Sequence, residues 1–213
     1  MGRACQWRPE NTRVTRVFIT GMSATGKSTV VRELAARGYN AVDLDSPDRS
    51  EYRDVDGAAE WVWREDRIAF LLDSTSRGDL FVSGCASNQG KFAACFDHVV
   101  LLSAPVAVIL ERLLSRTTND FGKDPAERVR ILDDITHVEP LLRRTATLEL
   151  DAAAPLECVV SAIAALAGGV PAARAQADAR VLFARRKFRS AARTMFLGMR
   201  RKMKLWAGTS EYQ

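Results

Sequence analysis

Cysteine pairing is the first thing missing from this sequence: Cys5, Cys85, Cys95 and Cys158 are scattered and nowhere form a C-x-x-C pair. Histidine is nearly absent too, with only His98 and His137. Together these exclude a zinc site of ordinary ligand spacing and give no sign of a disulfide scaffold, so reduced thiols are expected. There is also no long apolar run. The most apolar stretch, residues 159–170, is alanine-rich, interrupted by Ser161 and Gly168-Gly169, and too short to span a bilayer. The N-terminal residues lack an apolar signal core, and the expectation is a cytoplasmic protein without a transmembrane segment. No internal repeat or low-complexity tract is found, which argues against solenoid and array architectures.

What is present suits one α/β domain with an appendage: 213 residues, 47% of them hydrophobic, are enough to bury a substantial core. Charge divides the chain. Residues 1–170 hold 20 Lys/Arg against 24 Asp/Glu, a net of −4, whereas residues 171–213 hold 11 against 2, a net of +9. The basic overall balance therefore belongs to the C-terminal extension and not to the body.

The body is organised around Gly21-Met22-Ser23-Ala24-Thr25-Gly26-Lys27-Ser28, which satisfies G-x-x-x-x-G-K-[ST] at every fixed position. Residues 14–20 before it are β-branched and apolar, as a buried strand requires, and residues 28–37 after it read as a helix stopped by Gly38. Strand, glycine loop and helix is the context that gives the pattern its meaning. Gly21 and Gly26 let the backbone curl so that N–H groups of Ser23, Ala24, Thr25, Gly26, Lys27, Ser28 and Thr29 face phosphate oxygens at a helix N-terminus. Lys27 would reach the β and γ phosphates and the Ser28 hydroxyl would ligate Mg²⁺. A nucleoside triphosphate site follows.

Downstream, residues 39–45 read as a second strand ending in Asp43 and Asp45, two carboxylates at the edge of a parallel sheet where ligands bind. Residues 46–56 read as a polar loop, and residues 57–74 carry Ala58, Trp61, Val62, Ile68, Ala69 and Leu72 near helical spacing, which predicts a helix or helix pair. On a helix Trp61 and Trp63 cannot share a face, so one of them would point toward a cleft or partner. Residues 79–84 read as a third strand, followed by the small and polar run Cys85 to Gly90. Strands near 97–103 and 146–151, helices at 105–115 and 125–143, and an alanine-rich last helix complete an alternating pattern, which predicts a three-layer αβα arrangement with right-handed crossovers.

This order of motifs resembles the shikimate kinase and nucleoside monophosphate kinase branch of P-loop kinases over residues 15–167, carried by the loop at 21–28, Asp43 and Asp45, Gly84 after the third strand, and an arginine-bearing segment at 112–123. The resemblance implies a five-stranded parallel sheet in order 2-3-1-4-5 with a lid and a substrate-binding helical insert. It implies ATP and Mg²⁺ as cofactors and a small metabolite or nucleotide as phosphoacceptor. It also implies roles: Asp43 on the metal side with Ser28, Asp45 as the base or orienting group for the acceptor hydroxyl, and Lys27, Arg112 and Arg116 neutralising the transferring group. Gly84, Ser87, Asn88 and Arg64 are the candidate acceptor-binding residues. The double-glycine signature of shikimate kinases is replaced by Ser83-Gly84-Cys85-Ala86, so shikimate itself is not implied.

The expected organisation is an N-terminal arm at 1–13, a P-loop kinase-like domain at 14–170 with its lid near 116–124, and a basic amphipathic extension at 171–213. In that extension Phe188, Ala192, Met195, Met199, Met203 and Trp206 recur at helical spacing opposite arginines and lysines, so a basic helix is expected. It suits self-association, an anionic surface, nucleic acid or another protein. The competing functional reading is a regulatory P-loop ATPase whose tail engages such a partner.

Overall fold

The computed structural model describes residues 14–75, 78–117, 120–167 and 182–183. The N-terminal arm and the basic helix expected in the C-terminal extension lie outside them. Among the described residues no helix is long and apolar enough to cross a membrane.

Strand β1 (Arg16–Thr20) is buried along its whole length and forms the middle of the main sheet. Helix α1 (Lys27–Ala36) follows, then β2 (Asn40–Asp43), the strands β3 (Ser50–Val55) and β4 (Ala58–Trp63), helix α2 (Glu65–Ser74) and β5 (Leu80–Ser83). A 3-10 helix at Gln89–Cys95 leads to β6 (His98–Ser103), α3 (Val106–Ser115), α4 (Pro125–His137), α5 (Glu139–Thr145), β7 (Leu148–Asp151), α6 (Leu156–Ala164) and the two-residue β8 (Leu182–Phe183). The main sheet runs β2-β5-β1-β6-β7-β8. The first five strands are parallel, and β8 joins β7 antiparallel. Counted without the separate β3–β4 pair, the five parallel strands stand in the order 2-3-1-4-5.

Alternation along β1 sorts the two faces of the sheet. Val17 and Ile19 pack with Val30, Val31 and Leu34 of α1 and Val159, Val160 and Ile163 of α6. Phe18 points the other way, into Trp63, Ile68, Leu72, Phe92 and Phe96. The Trp63 ring lies edge-on to Phe18 with centroids 5.3 Å apart. The register aligns Ile19 with Ser83 and Val100, and Asp43 with Ser83, so the carboxyl ends of β1, β2 and β5 finish at one edge.

Two segments differ from the sequence expectation. Residues 46–56 are not all loop and residues 57–63 are not helix: β3 and β4 form an antiparallel hairpin, and only 65–74 of the expected helical insert is helical. The turn is Asp56-Gly57, with φ of 57° and 85°, the left-handed pair that a two-residue hairpin demands. Trp61 and Trp63, two apart on a strand, therefore share a face, and it is the face that meets the core. The second difference is a break in the helix expected over 125–143. Pro140 has no N–H to continue α4, so the chain restarts as α5 with the proline in its first turn.

Trp63, fully buried, ties the hairpin to the sheet. Trp63→Ala is expected to cost about 3–5 kcal/mol of unfolding free energy. A urea titration followed by far-UV circular dichroism measures it, and a loss within experimental scatter would show that the hairpin is not part of the cooperative core.

Candidate functional site

The loop after β1 is shaped by close approach. Gly21 has φ 151°, and a Cβ there would meet the Leu102 carbonyl oxygen at 2.3 Å, so only glycine fits. Ala24 and Gly26 take positive φ of 63° and 95°. Thr25 is buried and its hydroxyl donates to the Met22 carbonyl at 2.8 Å, fastening the turn. Helix α1 starts at Lys27 with no acidic residue in its first turn, leaving its N-terminal N–H groups and partial positive charge facing outward. Lys27 Nζ donates to the carbonyls of Gly21 at 2.8 Å and Met22 at 3.2 Å, which holds the ammonium over the mouth of the loop.

Above this loop lies a cavity of about 700 Å³. Ser23, Ala24, Thr25, Gly26, Lys27, Ser28 and Thr29 form its floor, and Asp43, Asp45, Arg112, Ser115 and Arg116 also line it. Ala152, Ala154, Leu156 and Val159 give it an apolar wall, continuous with the phosphate loop, of a kind that takes a flat ring. Arg112 is held by donating to the Ala152 carbonyl at 2.8 Å. Arg116 donates to the Phe121 carbonyl, while its Nε is buried without a partner. Desolvation lowers its pKa from the usual guanidinium value, and the charge of Glu127 opposes that shift.

The two carboxylates of the second strand do different things. Asp43 Oδ1 accepts the Asp45 N–H at 3.1 Å. Asp45 accepts the Cys85 N–H at 3.0 and 3.1 Å on its two oxygens. Desolvation raises the Asp45 pKa, opposed chiefly by Lys27 and then by the Cys85 N–H, with a smaller lowering from the Trp61 indole. Gly84 lies directly beneath: a Cβ there would stand 2.9 Å from the Trp63 ring and 3.0 Å from Asp45 Oδ1. Cys85 is half-buried, and the pKa of its thiol is pushed up to about 11, first by desolvation.

The remaining sequence candidates lie elsewhere. Arg64 precedes α2 and pairs with Glu51 at 3.1 Å, away from the cavity. The Asn88 amide clamps β4, its oxygen accepting the Trp63 N–H and its nitrogen donating to the Trp63 carbonyl, both at 2.8 Å. Ser87 N donates to the Trp61 carbonyl at 2.9 Å, and the Ser87 hydroxyl is buried without a partner. Gly21 shapes the loop without lining the cavity. The segment carrying Arg116 also holds Gly122, which packs against Leu113 and Ile131 at the base of α3 and α4.

Asp134 on α4 escaped the sequence reading. Beside it Ile135 and Val138 pack, as Cys85 does, against the cluster of Met22, Leu101, Leu142 and Ala146, and the charge of Asp134 acts on the Cys85 thiol. The residue as a whole is exposed, but partial desolvation of its carboxylate, then the charge of Asp133, raises its pKa to about 6, against Arg130 and His137. Nothing in the spacing of Asp133-Asp134 signals this, since the contact is made by tertiary packing.

A parallel sheet with β1 at its centre, a glycine loop at its carboxyl edge and a helix N-terminus behind the loop define a P-loop nucleotide-binding protein. The family comparison agrees: the model of the AAA domain family matches residues 17–133, more than half of the chain, and the chain belongs to that family. Similar solved structures include a shikimate kinase from Bacteroides thetaiotaomicron, 16% identical, with a TM-score of 0.49 over 71% of this chain and 97% of that one. A gluconokinase from Sinorhizobium meliloti is 22% identical, with a TM-score of 0.46 over 73% and 93%. A shikimate kinase from Acinetobacter baumannii in complex with shikimate is 17% identical, with a TM-score of 0.44 over 93% and 96%. No curated protein matches the chain.

The raised pKa of Asp134 makes a signed prediction. A carboxyl that holds its proton more tightly folded than unfolded loses stability as pH rises from about 4 to about 6. Asp134→Asn removes that loss, so the variant should melt above the wild type at pH 7.5 and together with it at pH 3.5. Much of the residue faces solvent, so the gain is small. Paired differential scanning calorimetry runs check it, and a gain of equal size at both pH values would contradict the assignment.

Proposed function

We propose that this chain is an ATP-dependent phosphotransferase that moves the γ-phosphoryl group to a hydroxyl of a small molecule. The observation that carries the reading is that one cavity joins the phosphate loop, the carboxylates Asp43 and Asp45, and the guanidinium groups of Arg112 and Arg116. Phosphoryl transfer asks a protein for positioning and for neutralisation of charge, and these groups supply both. The loop N–H groups and Lys27 would hold the β and γ phosphates, and Arg112 and Arg116 would meet the negative charge spread over the transferring group. The apolar wall at 152–159 would take the base.

The donor set suits Mg²⁺, a hard cation held by few protein oxygens and by phosphates. The Ser28 hydroxyl and the Asp43 carboxylate line the same cavity, and among the described residues no cluster of three or more His, Cys, Asp or Glu forms a closed metal cage. Ser28 and Asp43 would hold the ion, which would supply charge neutralisation on the phosphate oxygens when bound.

Asp45 faces the acceptor. Its carboxylate, fixed by the Cys85 N–H, would accept a hydrogen bond from the acceptor hydroxyl and keep that oxygen in line with the γ phosphorus. A bond forms from this oxygen to phosphorus, the bond from phosphorus to the β–γ bridging oxygen breaks, ADP leaves, and the hydroxyl proton passes to Asp45 and on to solvent.

Lys27→Ala should lower kcat/KM for acceptor-dependent ADP release by about 100- to 1,000-fold with an unchanged circular dichroism spectrum. Turnover at the wild-type rate by the folded variant would remove the phosphate loop from the reaction.

A further inference from the structure

Arg116 follows the last turn of α3 and lines the cavity, where a guanidinium has to be aimed without being neutralised. Its anchor is a backbone carbonyl, since Nη2 donates to the Phe121 oxygen. A carbonyl directs a cation and leaves its charge in place. The peptide carrying this carbonyl joins Phe121 to Gly122, and its other end is occupied as well: the Gly122 N–H donates to Glu127 Oε2 at 2.6 Å. One rigid peptide plane therefore has Arg116 on its oxygen and Glu127 on its nitrogen.

Glu127 reaches this peptide from the first turn of α4. Asp124 caps that helix by accepting the Ala126 N–H at 2.6 Å, and Glu127 stands three residues after the cap. A glutamate at that position commonly turns back to the N–H of the capping residue itself. Here it reaches two residues further, to Gly122. Arg128 fastens the carbonyls that follow, Gly122 at 3.2 Å and Lys123. A carboxylate that accepts a peptide N–H polarises the peptide, which strengthens the carbonyl at its far end as an acceptor. The charge of Glu127 also opposes the desolvation that lowers the Arg116 pKa.

We propose that Glu127 is a positioning residue for the transfer: through the Phe121–Gly122 peptide it sets the direction of the Arg116 guanidinium in the cavity. The inference rests on the phosphotransferase reading and adds to it a residue that does not itself line the cavity. A guanidinium fixed before the reaction stabilises charge as it develops, whereas one that has to be gathered at that moment loses part of its effect. With the Glu127 carboxylate removed, the peptide loses its hold at the nitrogen and can turn its carbonyl away from Arg116. The loss then falls on the transfer step and not on the binding of the nucleotide.

The test measures ADP release from MgATP by the full chain with glycerol, glucose, gluconate and adenosine offered as acceptors, and follows the one that gives the highest rate. Glu127→Ala should lower kcat about tenfold or more while KM for MgATP changes less than about threefold. Glu127→Gln keeps an oxygen that can accept the Gly122 N–H and should recover part of the loss. The double variant Arg116→Ala, Glu127→Ala should be no slower than Arg116→Ala alone, because a residue that works through Arg116 then has nothing to act on. A loosened fold would instead slow both backgrounds alike. Asp66→Asn, exposed on α2, serves as the control that changes neither constant. Wild-type kcat in Glu127→Ala, or two losses that multiply in the double variant, would overturn the inference and leave the phosphotransferase standing. Background ADP release by the wild type with every acceptor would overturn both.

Discussion

Between the end of β1 and the carbonyl oxygen of Leu102 there is no room for a side-chain carbon, since a Cβ on Gly21 would stand 2.3 Å from that oxygen. The whole site hangs on this contact. It lets the loop leave the sheet between β1 and β6, turn over the buried Thr25, and enter α1 with its first N–H groups facing the cavity. The sheet behind it is rigid because β1 is buried on both faces and hydrogen-bonded on both sides. A phosphate cradle made of backbone needs that rigidity, because N–H groups free to reorient would lose part of their electrostatic advantage over water.

The second constraint is charge placed beside low-polarity walls. Asp45 is costly to bury, and its surroundings offset the cost with the Lys27 ammonium and the Cys85 N–H. Asp134, on α4, has Arg130 and His137 against it, yet desolvation and the charge of Asp133 push its pKa up to about 6. The cavity therefore sets the cations Lys27, Arg112 and Arg116 beside the carboxylates Asp43 and Asp45.

Much of this was legible in the chain. Strand, glycine loop and helix announced themselves within residues 14–37 because each signal there is local. Asp43 and Asp45 could be placed at the sheet edge for the same reason, and the structure brings them into one cavity with Arg112 and Arg116. The hairpin at 50–63 was misread because β4 ends with Val62 and Trp63 buried side by side, on opposite faces: Ala58, Trp61 and Val62 then imitate helical spacing, and the polar/apolar alternation that marks a strand disappears. The Asp56-Gly57 turn was the signal that could have corrected it. Arg64 was a candidate acceptor-binding residue in sequence, yet its partner Glu51 is supplied by the neighbouring hairpin strand. The hold of the Cys85 N–H on Asp45 was out of reach, since the two residues lie far apart in the chain.

The central claim is that this one cavity transfers a phosphoryl group to a hydroxyl instead of releasing it to water. Phosphorus NMR of the full chain with MgATP, with and without a mixture of hydroxyl-bearing small molecules, tests it directly. The account predicts a phosphomonoester resonance that grows in step with ADP only when the acceptor mixture is present. Inorganic phosphate as the sole product, formed at the same rate in both samples, would contradict it.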